Sequence, residues 1–289
     1  MPKIGLGLFK TSPEDCGRIL KRAYEIGYRH FDGAAIYRNE AEVGKTLGKF
    51  PRESLFLTSK LWCTRQHPQD IELALEATLR DLQTDYLDLY LVHWPLPLKA
   101  DEKGETLYDS TGQAFLREDV RLEDTWRGME ELVRKGKVRS IGVSNFTVAK
   151  LKRILKAAEI KPAVNQVECH PFLQQRGLKE YCDEHDIRLT AYAPLGAGKT
   201  PSVLEHQVVK SIASRHGITP AQVLLKWGLQ RGTSVIPKTS NLERLAENFE
   251  ASALKDFDAQ EMDLIGSLDC HQRFFNPVNY WKIDCFDDE

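Results

Sequence analysis

Four residues in the first third of the chain could carry acid–base chemistry together: Asp32, Tyr37, Lys60 and His93. Three of them close apolar, β-branched runs, Asp32 in "YRHFD" (28–32), Lys60 in "LFLTSK" (55–60) and His93 in "YLDLYLVH" (86–93). A lysine at the end of a buried strand is costly to desolvate, and an aspartate on the neighbouring strand keeps it charged. Tyr37 follows Asp32 in "AAIYRNE", where it would lean over that positive charge. A phenol titrates near pH ~10, and an adjacent ammonium is expected to lower this toward neutrality. Tyr37 is thus the candidate general acid. His93 stands beside Trp94 and ahead of Pro95, an odd end for a buried strand, and reads either as a core histidine or as a group facing a site.

These residues need a scaffold that brings successive strand ends together. Eight strand-like runs are spaced along the chain, at 3–7, 28–32, 55–60, 86–93, 138–144, 163–168, 187–193 and 233–238. Helix-period segments separate them, at 13–26, 39–48, 68–82, 122–134, 147–157 and 173–185, with two in 203–230 and one after Asn241. Ser12 before Pro13, Asp124 ahead of Trp126 and Thr219 before Pro220 are the expected N-caps. Strands alternating with helices imply parallel pairing, and eight units without a compositional break predict one (β/α)8 TIM-barrel domain over residues 1–289. In such a barrel the C-terminal strand ends share a rim. Ser144, Asn145, Gln166, Glu168, Tyr192 and Lys238 would join the first four there. Two irregular stretches, 95–121 and 268–289, are expected to form pocket walls above it.

The bulk numbers narrow the partner. With 40 basic against 42 acidic residues the formal charge is −2, and no basic run marks a nucleic-acid or membrane surface. No apolar span reaches the ~18 residues of a transmembrane helix. The six cysteines lack paired spacing, which suits a reducing, cytoplasmic location. The pairs Cys169–His170 and Cys182–His185 do not form a zinc pattern, so no metal is expected. "GLGLFK" (5–10) has Lys10 where a dinucleotide fingerprint needs glycine. A small-molecule partner remains, with the chain a monomer or a dimer.

Seven motifs in order resemble the aldo-keto reductase superfamily: "GYRHFDGAAIYRNEAEVG" (27–44), "LFLTSKLW" (55–62), "DYLDLYLVHWP" (85–95), "IGVSNF" (141–146), "KPAVNQVECHP" (161–171), "AYAPLG" (191–196) and "IPKTSNLERLAEN" (236–248). Asp32, Tyr37, Lys60 and His93 match that family's catalytic tetrad. The resemblance implies NADPH-dependent reduction of aldehydes and aldoses, and some ketones, to alcohols. Tyr37 would be the proton donor and a neutral His93 would orient the carbonyl. It further implies that Ser144, Asn145 and Gln166 meet the nicotinamide carboxamide while the Tyr192 ring covers one face. Gly7, Leu8, Pro194, Leu195, Gly196 and Ile236 would complete the cofactor cleft. Lys238, Thr239, Ser240, Asn241 and Arg244 combine two cations, hydroxyls and a helix start, the chemistry of a phosphate site, which in the family holds the 2'-phosphate of NADP(H). Glu247 and Asn248 match the adenine contacts.

For the substrate, the expected contacts are Phe9, Trp62, His93, Trp94 and Asn276. The tail is similar to those of xylose and sugar-phosphate reductases, yet Arg273-Phe274-Phe275 stands where pentose-reducing members read Arg-Phe-Asn. A sugar-specific reductase or an NADP-dependent polyol dehydrogenase is therefore an open alternative. Lys60 as a Schiff-base nucleophile, and Asp32 with Glu168 as a glycosidase pair, are readings from other enzyme classes.

Overall fold

Eight short parallel strands pair in chain order in the computed structural model, which describes residues 1–288. They are β1 (Gly5–Gly7), β2 (His30–Asp32), β3 (Phe56–Leu61), β4 (Leu89–Val92), β5 (Ile141–Ser144), β6 (Val164–Glu168), β7 (Arg188–Tyr192) and β8 (Ser234–Val235). A parallel bridge between Ile4 and Val235 joins the last strand to the first and closes the ring. The strands are buried along nearly their whole length, the pattern of a sheet covered on both faces. The eight runs read in the sequence are all present, seven of them shorter and the third shifted by one residue at the same length. β8 is cut to two residues because Pro237 has no N–H to donate, although Ile236 N still reaches Ala191 O at 3.1 Å.

Helices α1 (Pro13–Ile26), α2 (Glu40–Leu47), α3 (Pro68–Leu82), α4 (Leu122–Arg134), α5 (Val148–Ala157), α6 (Arg176–Glu184), α7 (Gln207–His216), α8 (Pro220–Gln230) and α9 (Leu242–Glu250) lie between and after the strands. The apolar stripe of α4 shows how they attach. Leu122, Trp126, Met129 and Leu132 repeat at helical spacing and are all buried, while the Trp126 indole N–H donates to Ile160 O at 3.0 Å. Burying each such side chain contributes ~1.5–3 kcal/mol.

Two of the three expected caps are formed. Ser12 accepts from Asp15 N, and Thr219 makes a reciprocal capping box with Gln222. Asp124 is not a cap: α4 starts earlier, after Arg121, and the Asp124 carboxylate is taken up by Arg121 and by Arg127 at 2.6 Å. The segment 173–185 becomes helical only from Arg176, since Gln175 is left-handed and His170 bridges Leu173. Two helices were not read in the sequence. α10 (Ala259–Gly266) is opened by an Asp258–Glu261 capping box, and α11 (Val278–Trp281) is a single turn inside the tail. Among the described residues no helix is long and apolar enough to cross a membrane.

Both irregular stretches gain order by contact. Residues 95–121 fold back through antiparallel bridges Leu98–Leu116 and Tyr108–Ala114. The tail then docks on them, with Ala114 N donating to Trp281 O at 3.0 Å. Trp281, Trp94, Cys63, Leu96, Leu98 and Cys285 form a small apolar cluster apart from the main core.

Candidate active site

Three consecutive strands bring the acid–base residues together. Register pairs Asp32 with Thr58 on β3 and Lys60 with Leu91 on β4, so Lys60 lies between Asp32 and the end of β4 that carries His93. Lys60 is fully buried and donates to Asp32 Oδ1 at 2.5 Å and to Gly33 O at 2.7 Å. Its third contact is Tyr37 Oη at 3.5 Å. The Tyr37 and His93 rings meet edge-on at 5.9 Å. All four predicted residues therefore form one cluster.

The charges in it follow from burial and neighbours. Burial is the largest influence on the Lys60 ammonium and works against it, but the Asp32 carboxylate and Tyr37 together outweigh it, and the pKa lies above the ordinary lysine value. A Schiff-base amine must be neutral, so this pairing opposes that reading of Lys60. Tyr37 differs from the sequence expectation. Burial raises its pKa above the ordinary phenol value, and Lys60 only partly counteracts this, so the residue is held protonated rather than lowered toward neutrality. His93 is held well below the ordinary histidine value, by burial and then by the Lys60 ammonium, and its ring is neutral.

Further polar bonds tie the cluster to strands across the barrel. Gln166 on β6 donates from Nε2 to Asp32 Oδ2 at 2.6 Å. Asn145, just past β5, donates to His93 O at 3.0 Å and accepts from Tyr192 Oη at 2.8 Å. Ser144 Oγ donates to Gln166 O at 2.8 Å. Asn145 and Ala193 both have left-handed backbones, at φ 64° and 47°. Asparagine tolerates this well, whereas alanine does so at a cost of ~1–3 kcal/mol, and such strain tends to collect at functional sites.

The remaining predicted cofactor residues line the same rim. A Cβ on Gly7 would come within 2.9 Å of Ile236 O, so only glycine lets β1 pass β8 this closely beside Leu8. Pro194, Leu195 and Gly196 follow Tyr192 directly, with Gly196 packed on Val203. Further out, Asn241 caps α9 by accepting from Glu243 N and Arg244 N, and Thr239 Oγ1 accepts from Asn241 N at 3.1 Å. Lys238 and Arg244 are exposed at this helix start, and among the described residues neither forms an ion pair; Lys238 reaches only Ser240 Oγ at 2.7 Å. Two cations without an ion-pair partner among the described residues, at a positive helix end, fit a phosphate. Glu247 accepts from Thr219 Oγ1 at 2.7 Å, and Asn248 is buried behind it.

The predicted substrate residues divide. Phe9 is exposed and lies 5.1 Å from the Tyr37 ring, and Trp62 stands edge-on to His93 at 5.2 Å. Trp94 is only 8% exposed, so it acts behind the mouth by supporting Trp281, at 5.5 Å, rather than as an open wall. Asn276 Oδ1 accepts from Val278 N at 3.0 Å, a local turn bond at the entry to α11.

Sequence reading missed two contributors, Trp281 and Glu40. Trp281 packs on Trp62 at 5.8 Å; the aromatic spacing within 270–284 was its only signal. Glu40, in the first turn of α2, is buried and accepts from Ser59 Oγ at 2.5 Å and Thr78 Oγ1 at 3.0 Å. Burial raises its pKa to about 7 against these two bonds. Glu168 was noted as a strand end, but its partners are the amides of Phe274 and Phe275, which leaves it no free oxygen to serve as a glycosidase carboxylate. Among the described residues no group of three or more His, Cys, Asp or Glu could hold a metal. His170 is engaged by Glu168, and Cys169 lies against Gln174 O and Arg231.

A parallel barrel with a buried Lys–Asp pair beneath a tyrosine, at the C-terminal ends of its strands, defines a (β/α)8 enzyme with its chemistry at the rim. The chain belongs to the aldo/keto reductase family, whose model matches residues 3–269. That places it among oxidoreductases, and proteins of this family use nicotinamide cofactors. It is 46% identical to aldose reductase B of Dictyostelium discoideum, over 99% of this chain and 95% of that one. It is 41% identical to the NADPH-dependent D-xylose reductase of Meyerozyma guilliermondii, over 99% and 96%. The structure of aldose reductase from Giardia lamblia superposes with a TM-score of 0.93 at 37% identity, covering 99% of this chain and 98% of that one.

Proposed function

We propose that the protein reduces aldehydes, including short aldoses, to alcohols with NADPH, and that Tyr37 delivers the proton. The observation that carries this reading is the fully buried Lys60, held charged by Asp32 and 3.5 Å from Tyr37 Oη. Family membership and the named reductase activities of similar proteins support the reaction class.

Ser144, Asn145, Gln166 and Tyr192 would hold the nicotinamide end of the dinucleotide, which when bound would supply a hydride, two electrons and a hydrogen, for the carbonyl carbon. As negative charge grows on the carbonyl oxygen, Tyr37 Oη gives up its proton to that atom, closing the alcohol O–H bond. The raised pKa of Tyr37 keeps this proton in place until the oxygen is basic enough to take it. The phenolate left behind faces Lys60, whose charge stabilises it and hence the transition state more than the ground state. His93, neutral, offers an N–H to the same oxygen and fixes its direction. Asn145 and Gln166 hold the His93 and Asp32 side of the site, leaving little slack for either group.

Selection of the phosphorylated dinucleotide rests on Lys238 and Arg244 at the α9 start. Rates of NADPH oxidation with glyceraldehyde, xylose, a hexose phosphate and an aromatic aldehyde test the function. Turnover of at least one is expected; no oxidation above background with any of them would refute it.

A further inference from the structure

Glu168 takes no part in the proton chemistry above, yet it is completely buried at the end of β6, two residues past Gln166. Its Oε1 accepts from Phe274 N at 2.8 Å and from His170 Nε2 at 3.0 Å, and its Oε2 accepts from Phe275 N at 2.9 Å. An ionised carboxylate only accepts, so His170 donates through Nε2–H. Its Nδ1, buried and without a hydrogen-bond partner, fits the neutral tautomer with the proton on Nε2. Three donors thus converge on one buried carboxylate, and two of them are consecutive backbone amides of the tail. Charge-assisted bonds of this kind are stronger than neutral ones, and their loss would leave both amides unsatisfied.

What the carboxylate fixes is the path of the tail. The Phe274 ring lies against His170 at 5.0 Å, and the Phe275 ring meets Tyr192 edge-on at 5.8 Å. From there the chain passes Pro277 and α11 to Trp281, which reaches Trp62 and Trp94. We propose that Glu168 is a positioning residue for substrate selection. Its carboxylate pins Phe274 and Phe275 so that the tail from Phe275 to Trp281 stands as a fixed wall of the mouth. The pin governs carbonyl substrates large enough to touch that wall and leaves the smallest ones unaffected. This inference rests on the carbonyl-reductase reading.

The test compares Glu168→Ala and Glu168→Gln with the wild type in NADPH-dependent reduction of propanal and of 4-nitrobenzaldehyde. For Glu168→Ala the KM of the aryl aldehyde should rise about tenfold and that of propanal less than about threefold, with kcat on propanal kept, as expected when uniform binding to the wall is lost. Glu168→Gln, which keeps one carbonyl acceptor, should fall between. A merely structural role would move both substrates by the same factor, and that result overturns the proposal. Hydrogen exchange in the wild-type chain supplies a second measurement that needs no variant to fold. Slow exchange at the Phe274 and Phe275 amides is expected; exchange at the free-peptide rate would show that they are not pinned. Should the wild type reduce neither aldehyde, the carbonyl-reductase reading fails, and the exchange data still decide the pin.

Discussion

Gln166 reaches across the barrel to Asp32, its amide nitrogen 2.6 Å from the carboxylate oxygen that Lys60 leaves open. Both oxygens of Asp32 are therefore used, one to hold a buried ammonium and one to tie β2 to β6 on the far side. The pair gives the acid–base cluster a fixed frame, and the predictions follow from removing its parts one at a time.

Tyr37→Phe removes the proton and little else, because the ring stays packed on Phe9 and His93. Turnover should fall by about 10²–10⁴-fold, the usual worth of a positioned acid. NADPH binding, followed by quenching of tryptophan fluorescence, should be unchanged. Near-wild-type turnover in this variant would remove Tyr37 from the mechanism.

Asp32→Asn leaves Lys60 buried without its anion. Breaking such a pair costs ~3–5 kcal/mol, and a drop of this size in unfolding free energy is expected in urea titrations. If stability is unchanged, the ammonium does not depend on Asp32.

Arg244→Ala should weaken NADPH by about tenfold or more, the worth of one charge-assisted bond, and leave NADH within experimental scatter. Dissociation constants measured by fluorescence for both dinucleotides decide this. Equal losses would place the 2'-phosphate elsewhere.

Glu40 makes stability depend on pH. Its folded pKa, raised by burial to about 7 from 4.5, means that the folded state holds this proton more tightly than the unfolded state. The contribution is present in full below pH 4.5 and is lost as pH rises to 7, over which the group costs about 3 kcal/mol. Glu40→Gln cannot ionise, so its stability relative to wild type should improve by about that amount between pH 4.5 and pH 8. Paired urea titrations at the two values measure it, and a pH-independent difference would count against an ionisable Glu40.

Much of the fold was legible because its signals are local. Apolar runs of strand length, helical stripes such as Leu122 to Leu132, and caps such as Ser12 and Thr219 act within a few residues of themselves. Asp124 misled because it offers the right chemistry one turn late, where Arg121 and Arg127 compete for its carboxylate. The single turn of α11 was not legible, since four residues carry too little periodicity and Asn276, which bonds its first residue, reads equally well as a substrate contact.

The sequence by itself determined which residue types could do proton chemistry and, through the order of strand ends, that Asp32, Lys60 and His93 would be neighbours. Only the tertiary structure decided their electrostatic state. Tyr37 shows why: a nearby ammonium can be inferred from chain order, but the desolvation that outweighs it depends on how completely other segments cover the phenol. The same holds for Glu168, whose partners lie 106 and 107 residues away in the tail. A strand-end carboxylate advertises only its charge, and what it binds is set by which backbone amides the closed barrel brings within 3 Å.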